Sequence, residues 1–164
     1  MITIGIDIGL TGALGAVDSR GSCAVRDIPT KPDGTGRRID GRALLTLLRE
    51  FVPAGEKAIA VIEDVRPRPQ GNGGAFGNTM HSQGSLMGSR RAIEATCDIA
   101  GIDVHVVQPQ TWKAWYGLLK SEKGASLAKA RVLFPDIGHE LTRVKDHNRA
   151  ESLLIAHFVN RTMS

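Results

Sequence analysis

Cysteine is scarce in this 164-residue chain, and the sequence lacks several other features that would define a class of protein. The two cysteines, Cys23 and Cys97, lie far apart, so they provide neither a metal-ligand spacing nor a disulfide framework. No run of about 18 apolar residues occurs, and we therefore expect no transmembrane helix. The first residues show no basic segment followed by an apolar one, so we expect no signal peptide and a reducing, cytoplasmic location.

The remaining composition is ordinary for a globular protein with a basic surplus. Apolar residues make up 41% of the chain and charged residues 23%. At this length we expect one domain over residues 1–164 with its own hydrophobic core. The net charge of +4 is compatible with a polyanionic partner, although mild basicity alone does not identify one.

The first 17 residues, MITIGIDIGLTGALGAV, predict a strand, a tight turn and a returning strand. Isoleucines alternate with polar or small residues, which is typical of a half-buried strand. Gly9 and Gly12 permit the sharp turn. Because aspartate is unfavourable within strands, Asp7 has two interpretations. It is either a turn residue that bonds the nearby backbone or a metal-binding carboxylate at the edge of a sheet.

The rest of the chain predicts alternating strands and helices. A third strand at Ser22 to Ile28 precedes a turn-rich segment at Lys31 to Gly36, which we expect to be mobile. Asp40 is expected to cap a helix at Arg42 to Phe51. The later elements follow in order: a buried strand at 58–65, a long helix at 79–100, a strand at 102–107, a short helix from 108, a basic helix at 125–134 and an apolar helix at 148–161.

Carboxylates stand at the ends of two predicted strands and near the start of the last helix. Glu63 closes the fourth strand as Asp7 closes the first, and open sheets tend to bind ligands beyond strand ends. If the last helix packs beside the sheet, Asp146 and Glu151 can join them and hold Mg²⁺, which prefers oxygen ligands. Two ions about 4 Å apart can promote phosphodiester cleavage. Alternatively, Asn148 and Glu151 fit a capping box, which would give Glu151 a structural role.

A Pro- and Gly-rich segment at 66–77 follows the fourth strand. It is either a disordered surface loop or a loop that contacts substrate, in which Arg66 and Arg68 bind phosphates and Phe76 stacks or wedges. An isolated lysine is more often a solvated charge than a ligand contact. Three lysines later in the chain are therefore either solvated charges or candidates for phosphate contacts: Lys113, Lys120 and Lys123.

Together these features resemble the RuvC-type Holliday junction resolvases of the RNase H-like superfamily. The resemblance covers nearly the whole chain and rests on four motifs in order: Ile6-Asp7-Ile8-Gly9 with Gly12, Val61-Ile62-Glu63, the segment at 66–77, and the run from Arg149 to Ala156. It implies an α/β, RNase H-like fold with a mixed five-stranded sheet, the first three strands antiparallel, flanked by helices. It also implies a homodimer, joined through the long helix at about 79–100, that makes paired symmetric nicks in four-way DNA junctions.

The same resemblance implies a cofactor and residue roles. Mg²⁺ is the implied cofactor, and Mn²⁺ is expected to substitute for it. Asp7 and Glu63 are implied as metal ligands. The segment at 66–77 is implied to face the junction, with Phe76 as a candidate wedge at the crossover.

The last motif departs from the bacterial pattern, in which two aspartates lie three residues apart. In this chain Asn148 stands three residues before Glu151. The arrangement is similar to the phage and organellar branch, where a loop aspartate precedes an Arg-Ala-Glu helix start. We therefore expect Asp146 and Glu151 as ligands. His147 is either a surface histidine or an alternative general base or metal ligand.

Two other functions stay open at this point. The segment from Asp7 to Gly12 is similar to the phosphate hairpin of actin-like phosphotransferases, but those proteins need a second lobe, and this chain is about half the required length. The chain can also be a non-catalytic RNase H-like protein that binds nucleic acid. Four carboxylates at the expected places argue against that alternative, whereas the altered last motif favours it.

Overall fold

The structure is a computed structural model that describes residues 1–64, 80–122 and 124–163. The elements in these ranges are β1 (Ile2–Asp7), β2 (Ala13–Asp18), β3 (Cys23–Asp27), β4 (Thr30–Asp33), β5 (Gly36–Ile39), α1 (Gly41–Phe51), β6 (Ala58–Glu63), α2 (Met80–Ala100), β7 (Asp103–Val107), α3 (Pro109–Trp115), α4 (Gly124–Leu133) and α5 (His147–Thr162). Two 3₁₀ helices, Pro135–Glu140 and Val144–Asp146, lie between α4 and α5. In the ranges given, no helix is long and apolar enough to cross a bilayer.

A mixed five-stranded sheet with the order β3-β2-β1-β6-β7 forms the centre of the fold. The first three strands pair antiparallel, whereas β6 pairs parallel with β1 and β7 pairs parallel with β6. Helices cover the sheet, so the predicted fold class is confirmed. Because Ile6 pairs with Ile62 in parallel register, Asp7 and Glu63 follow at the same edge of two adjacent strands.

Each face of the sheet contributes to its own apolar core. Side chains of β1 and β6 pack with α1 and α2 on one face, where the buried residues include Ile4, Ile6, Ile62, Leu44, Leu48, Ile93 and Cys97. The opposite face packs against α3, α4 and α5, and its buried residues include Val17, Val61, Trp112, Leu127, Leu153 and Leu154. The strands with apolar side chains on both faces are therefore buried between two helical layers.

Two glycines set how closely α5 lies against the sheet. A Cβ atom added to Gly5 in β1 would lie 2.6 Å from the backbone nitrogen of Ala156 and would also overlap the carbonyl oxygen of Ser152. A Cβ atom on Gly15 in β2 would lie 2.6 Å from the backbone nitrogen of Leu153. These obstacles are backbone atoms of α5, which cannot rotate away as a side chain can. The helix therefore rests directly on the strand that carries Asp7.

The turn-rich segment at 31–36 lies within a β-hairpin. Thr30 pairs with Ile39 and Asp33 pairs with Gly36, which leaves a two-residue turn. Gly34 in that turn has a φ of 57°, a conformation that glycine adopts without steric cost. The turn was predicted and the two short strands were not, because a turn that contains glycine does not show what it connects. Asp40 does cap α1 as predicted, since its carboxylate accepts from the backbone N–H groups of Arg42 and Ala43.

Candidate active site

Asp7 is the central carboxylate of a cluster at the edge of the sheet. Burial, followed by the negative charges of Glu151 and Glu63, raises the pKa of Asp7 to about 7, and the charge of Lys113 opposes this effect. Two other carboxylates are thus close enough to disfavour its ionised form. One comes from the adjacent strand and one from α5, which the close approach at Gly5 and Gly15 brings to this edge.

Glu63 is held at the end of β6 by a tryptophan. The indole Nε1–H of Trp112 in α3 donates to Glu63 Oε1 over 2.7 Å. Burial raises the pKa of Glu63, and the negative charge of Glu151 adds to this, while the Trp112 hydrogen bond and the Lys113 charge act in the opposite direction. The fully buried Trp112 therefore fixes one oxygen of a carboxylate that burial would otherwise protonate more readily.

Glu151 lies in the first turns of α5 and makes two side-chain contacts. Ser126 Oγ in α4 donates to Glu151 Oε1 over 3.2 Å, and Lys113 Nζ lies 3.7 Å from Glu151 Oε2. The predicted capping box does not form: α5 begins at His147, and the side-chain amide of Asn148 donates to the carbonyl of Thr11 instead. Glu151 is therefore directed to the carboxylate cluster rather than to the end of its own helix.

Asp146 occupies a different environment from these three carboxylates. Its buried carboxylate accepts hydrogen bonds from the backbone N–H and the guanidinium of Arg143 at 2.7 to 2.9 Å, and Arg149 lies 3.9 Å away. Burial raises the pKa of Asp146, but the bonds and charge of Arg143 outweigh burial and lower it overall. The structure places this carboxylate in the turn that leads into α5, with two arginines as partners. Its predicted role as a metal ligand stays a prediction.

The other predicted site residues lie outside the carboxylate cluster or outside the described ranges. His147 is partly buried at the start of α5, with Nδ1 3.1 Å from the carbonyl oxygen of Val144. Lys120 is exposed and has a positive φ of 62°. Four of the predicted contacts lie outside the described residues: Arg66, Arg68, Phe76 and Lys123.

Sequence reasoning missed the two neutral donors of the site. Trp112 and Ser126 lie far along the chain from the carboxylates they contact, 49 residues from Glu63 and 25 from Glu151. No spacing pattern relates such partners. Lys113 was predicted only as a phosphate contact, yet its charge acts on both Asp7 and Glu63 and it pairs with Glu151. The sequence placed Lys113 on a short helix but gave no indication of the direction of its side chain.

The donor chemistry of the cluster suits a hard divalent cation. Asp7, Glu63 and Glu151 offer carboxylate oxygens, the ligands that Mg²⁺ and Mn²⁺ prefer. Burial is the main cause of the raised pKa of Asp7, about 7, and the negative charges of Glu151 and Glu63 add to it against the opposing charge of Lys113. In their present positions, however, no three His, Cys, Asp or Glu side chains of the described chain could hold one ion. The three carboxylates are suitable ligands for such an ion by their chemistry. Binding one ion requires their side chains to rotate toward a common centre.

Replacing Trp112 with phenylalanine is expected to lower the free energy of unfolding by about 1.5–3 kcal/mol at about pH 8, because ionised Glu63 loses its N–H donor. The loss should be smaller at about pH 5, where the raised pKa of Glu63 leaves more of it protonated. Urea denaturation at the two pH values measures the difference. Trp115→Phe is the control, since Trp115 is 50% exposed and, within the described part of the chain, its side chain makes ring contacts but no hydrogen bond. A loss that is equal at both pH values would contradict the role assigned to Trp112.

The strand order, the antiparallel start of the sheet and the helices on both faces define an RNase H-like α/β fold. Within that class, the chain is similar to solved structures of RuvC from Thermus thermophilus. One, described as Thermus thermophilus RuvC structure, is 21% identical with a TM-score of 0.61, over 99% of this chain and 97% of that one. Another, described as T. thermophilus RuvC in complex with Holliday junction substrate, is 18% identical with a TM-score of 0.59, over 98% and 95%.

The likeness to RuvC is one of fold. The sequence matches no protein-family model and no curated protein. At about one-fifth identity, a shared fold does not by itself transfer an activity, because one fold can host unrelated functions. Function has to be argued from the carboxylate cluster and its surroundings.

Proposed function

We propose that this chain is a metal-dependent endonuclease that resolves four-way DNA junctions by paired symmetric nicks. The observation that carries the proposal is the convergence of Asp7, Glu63 and Glu151 at one edge of the sheet. These three side chains come from residues that are distant in sequence, and their mutual repulsion is unfavourable in the absence of a counter-charge. A divalent cation and a DNA phosphate provide a reason for such an arrangement. The likeness to a RuvC that is bound to a Holliday junction substrate suggests the substrate.

The residues of the carboxylate cluster and their neighbours have separate roles in phosphodiester hydrolysis. Asp7, Glu63 and Glu151 would hold Mg²⁺, or Mn²⁺ in its place. A bound divalent cation supplies an activated water and stabilises the departing oxygen. Trp112 and Ser126 keep Glu63 and Glu151 oriented through their hydrogen bonds. Lys113 offsets the acidic charge and stands beside Glu151, where its ammonium can contact a phosphate of the strand.

DNA contacts and dimerisation complete the proposal. We assign backbone contacts to Lys113 and Lys120 and, outside the described residues, to Arg66, Arg68, Phe76 and Lys123. Paired nicks require two active sites, and each chain carries one carboxylate cluster. We therefore propose a homodimer through α2, whose exposed residues include Gly84, Ser85 and Gly88, which allow close helix approach. A cytoplasmic location fits a DNA substrate and the two free cysteines.

A non-catalytic junction-binding protein is the second candidate function. One observation favours it: Lys113 already neutralises part of the acidic charge, and the described carboxylates do not enclose an ion as they stand. Such a protein would bind branched DNA through its basic residues and leave the strands intact. The two candidates therefore differ in one measurable outcome, which is strand cleavage.

The test is cleavage of a synthetic four-way junction in Mg²⁺ or Mn²⁺, with EDTA and a linear duplex of the same sequence as controls. We expect nicks at symmetric positions in two opposing strands, only in the presence of metal and only on the junction. A supercoiled plasmid with an extruded cruciform should yield linear product rather than nicked circles, because two linked subunits cut together. Tight junction binding without cleavage in either metal would favour the non-catalytic candidate. Turnover of ATP would indicate a phosphotransferase instead.

A further inference from the structure

A groove of about 480 Å³ lies beside the carboxylate cluster, between the β4–β5 hairpin and the start of α5. Its floor is the β1–β2 turn at Thr11 and Gly12 together with Ile28. Arg37 of the hairpin also lines the groove, as do Lys145 and His147 from the segment that leads into α5. Its volume falls within the range of about 300–1,000 Å³ that is usual for ligand sites. Of the DNA contacts proposed above, the two in the described residues, Lys113 and Lys120, do not line this groove.

The positive charges of this groove are unpaired. In the described residues, neither Arg37 nor Lys145 takes part in an ion pair or a side-chain hydrogen bond, and both are exposed. Neighbouring cations of the same hairpin differ in this respect, because Lys31 pairs with Asp40 and Arg38 pairs with Asp33. Two unpaired cations that line one groove from different elements leave it with a positive potential that favours an anion.

The one carboxylate that lines the groove is already neutralised. Asp27 Oδ1 accepts from Arg149 Nε over 2.6 Å, and Asp27 Oδ2 lies 3.7 Å from Arg143 Nη2. The bond with Arg149 lowers the pKa of Asp27, despite its partial burial, so this side chain is ionised and compensated near neutral pH. It therefore cancels little of the charge contributed by Arg37 and Lys145. The groove is suited to phosphate rather than to a cationic or neutral ligand.

The groove also adjoins the carboxylate cluster. Its floor begins four residues after Asp7, and Gly12 packs against the backbone of Asp7. The amide of Asn148 joins α5 to the floor by donating to the carbonyl of Thr11. Asn148 and Glu151 lie three residues apart on the helix and hence on neighbouring positions of one face. A strand whose phosphate lies at Asp7 and Glu151 can therefore continue directly into the groove.

We propose that the groove between Arg37 and Lys145 holds the DNA backbone immediately beside the scissile phosphate. Arg37 and Lys145 bind one phosphate each, and the hairpin that carries Arg37 holds the strand on that side of the cut. This inference rests on the proposed nuclease function and extends its contacts beyond Lys113 of α3 to a second surface. The contacts are to phosphates, so they contribute affinity and register rather than sequence preference.

The experiment compares the double variant Arg37→Ala/Lys145→Ala with Arg20→Ala/Lys57→Ala. The second pair removes the same charge from residues at the opposite end of the sheet, beside Asp18 and Ile2. Junction binding is measured by fluorescence anisotropy from about 0.05 to 0.3 M salt, in EDTA so that no strand is cut. Each lost phosphate contact should lower the slope of log K against log salt by about 0.7–0.9. We therefore expect the groove variant to lose about 1.4–1.8 in slope, and the control variant to match the wild type.

Neutral phosphates in the DNA then locate the contact. A methylphosphonate placed next to the cleavage position should weaken binding by the wild type about tenfold, and should have almost no further effect on the groove variant. An equal loss for both proteins would overturn the inference, as would a groove variant with the same salt slope as the control. Failure of the proposed function is a separate result, because the wild type itself would then leave the junction uncut in Mg²⁺ and Mn²⁺, whether or not it binds the junction. Thermal melts of both variants verify that these exposed substitutions leave the fold intact.

Discussion

An Asp7→Asn variant is expected to bind a four-way junction and to cut it at least about 10²- to 10³-fold more slowly than the wild type, the effect typical of removing one charged or polar group at a reaction centre. Asparagine keeps the size of the side chain but removes the negative charge that divalent cations require. The cluster would retain Glu63 and Glu151, each fixed by its own donor, so local structure should be preserved. Gel analysis of labelled junction in Mg²⁺, together with anisotropy in EDTA, separates cutting from binding.

Asp18→Asn is the matched control for this substitution. Asp18 ends β2 as Asp7 ends β1, but at the opposite edge of the sheet, where Ile2 pairs with it. Its carboxylate accepts from the N–H groups of Arg20 and Ser22, a role that an asparagine oxygen can also fill. We expect cleavage by this variant to equal that of the wild type. Unimpaired cutting by Asp7→Asn would refute the assignment of the active site.

In the absence of metal, Asp7→Asn should stabilise the fold even though it slows cleavage. The pKa of Asp7 is about 7 in the folded protein and 3.8 as the reference value, so folding favours its protonated form. The stability that the folded protein gains from protonated Asp7 is fully present below about pH 4 and is lost as pH rises through about 7. Since one pKa unit corresponds to about 1.4 kcal/mol, ionisation costs the folded state up to about 4 kcal/mol at higher pH. Asp7→Asn should therefore melt at a higher temperature than the wild type at about pH 8, and Mg²⁺ should raise only the wild-type value.

Much of the fold could be predicted because its signals are local. Alternating isoleucines predicted β1, an apolar run predicted β6, and Asp40 predicted the start of α1. The order of these elements was enough to indicate a sheet with Asp7 and Glu63 at one edge. The β4–β5 hairpin was missed because Gly34 signals a turn without showing what the turn connects.

The candidate site could be predicted only in part, because its completion depends on tertiary packing. The local sequence pattern allowed Glu151 to be either part of a capping box or a metal ligand. The capping box is excluded because the side-chain amide of Asn148 donates to the carbonyl of Thr11, which is distant in sequence. The different placement of Asp146 follows from Arg143, which holds its carboxylate by three hydrogen bonds. The partnership of Trp112 with Glu63 depends on how α3 lies beyond the sheet edge, which no periodicity reports.

Gly5→Ala is expected to destabilise the fold by about 3 kcal/mol or more and to abolish junction cleavage. Overpacking a buried site costs about 1–3 kcal/mol when neighbouring side chains can adjust. Here the new methyl group would meet the backbone of Ser152 and Ala156, so α5 itself has to move away from β1. Because Glu151 is carried by that helix, it would be drawn away from Asp7. Urea denaturation and junction cleavage measure the two consequences.

A matched substitution distinguishes the packing effect from a general effect of adding a methyl group. Gly124 begins α4, and a Cβ atom there would have no atom of the described residues within 4 Å apart from its chain neighbours and the backbone of its own helix. Gly124→Ala should therefore change stability by no more than about 1 kcal/mol, in the favourable direction. If Gly5→Ala unfolded at the same urea concentration as Gly124→Ala, the close seating of α5 on β1 would be incorrect. The position of Glu151 beside Asp7 would then lose its structural basis, because that seating is what joins the last helix to the edge of the sheet.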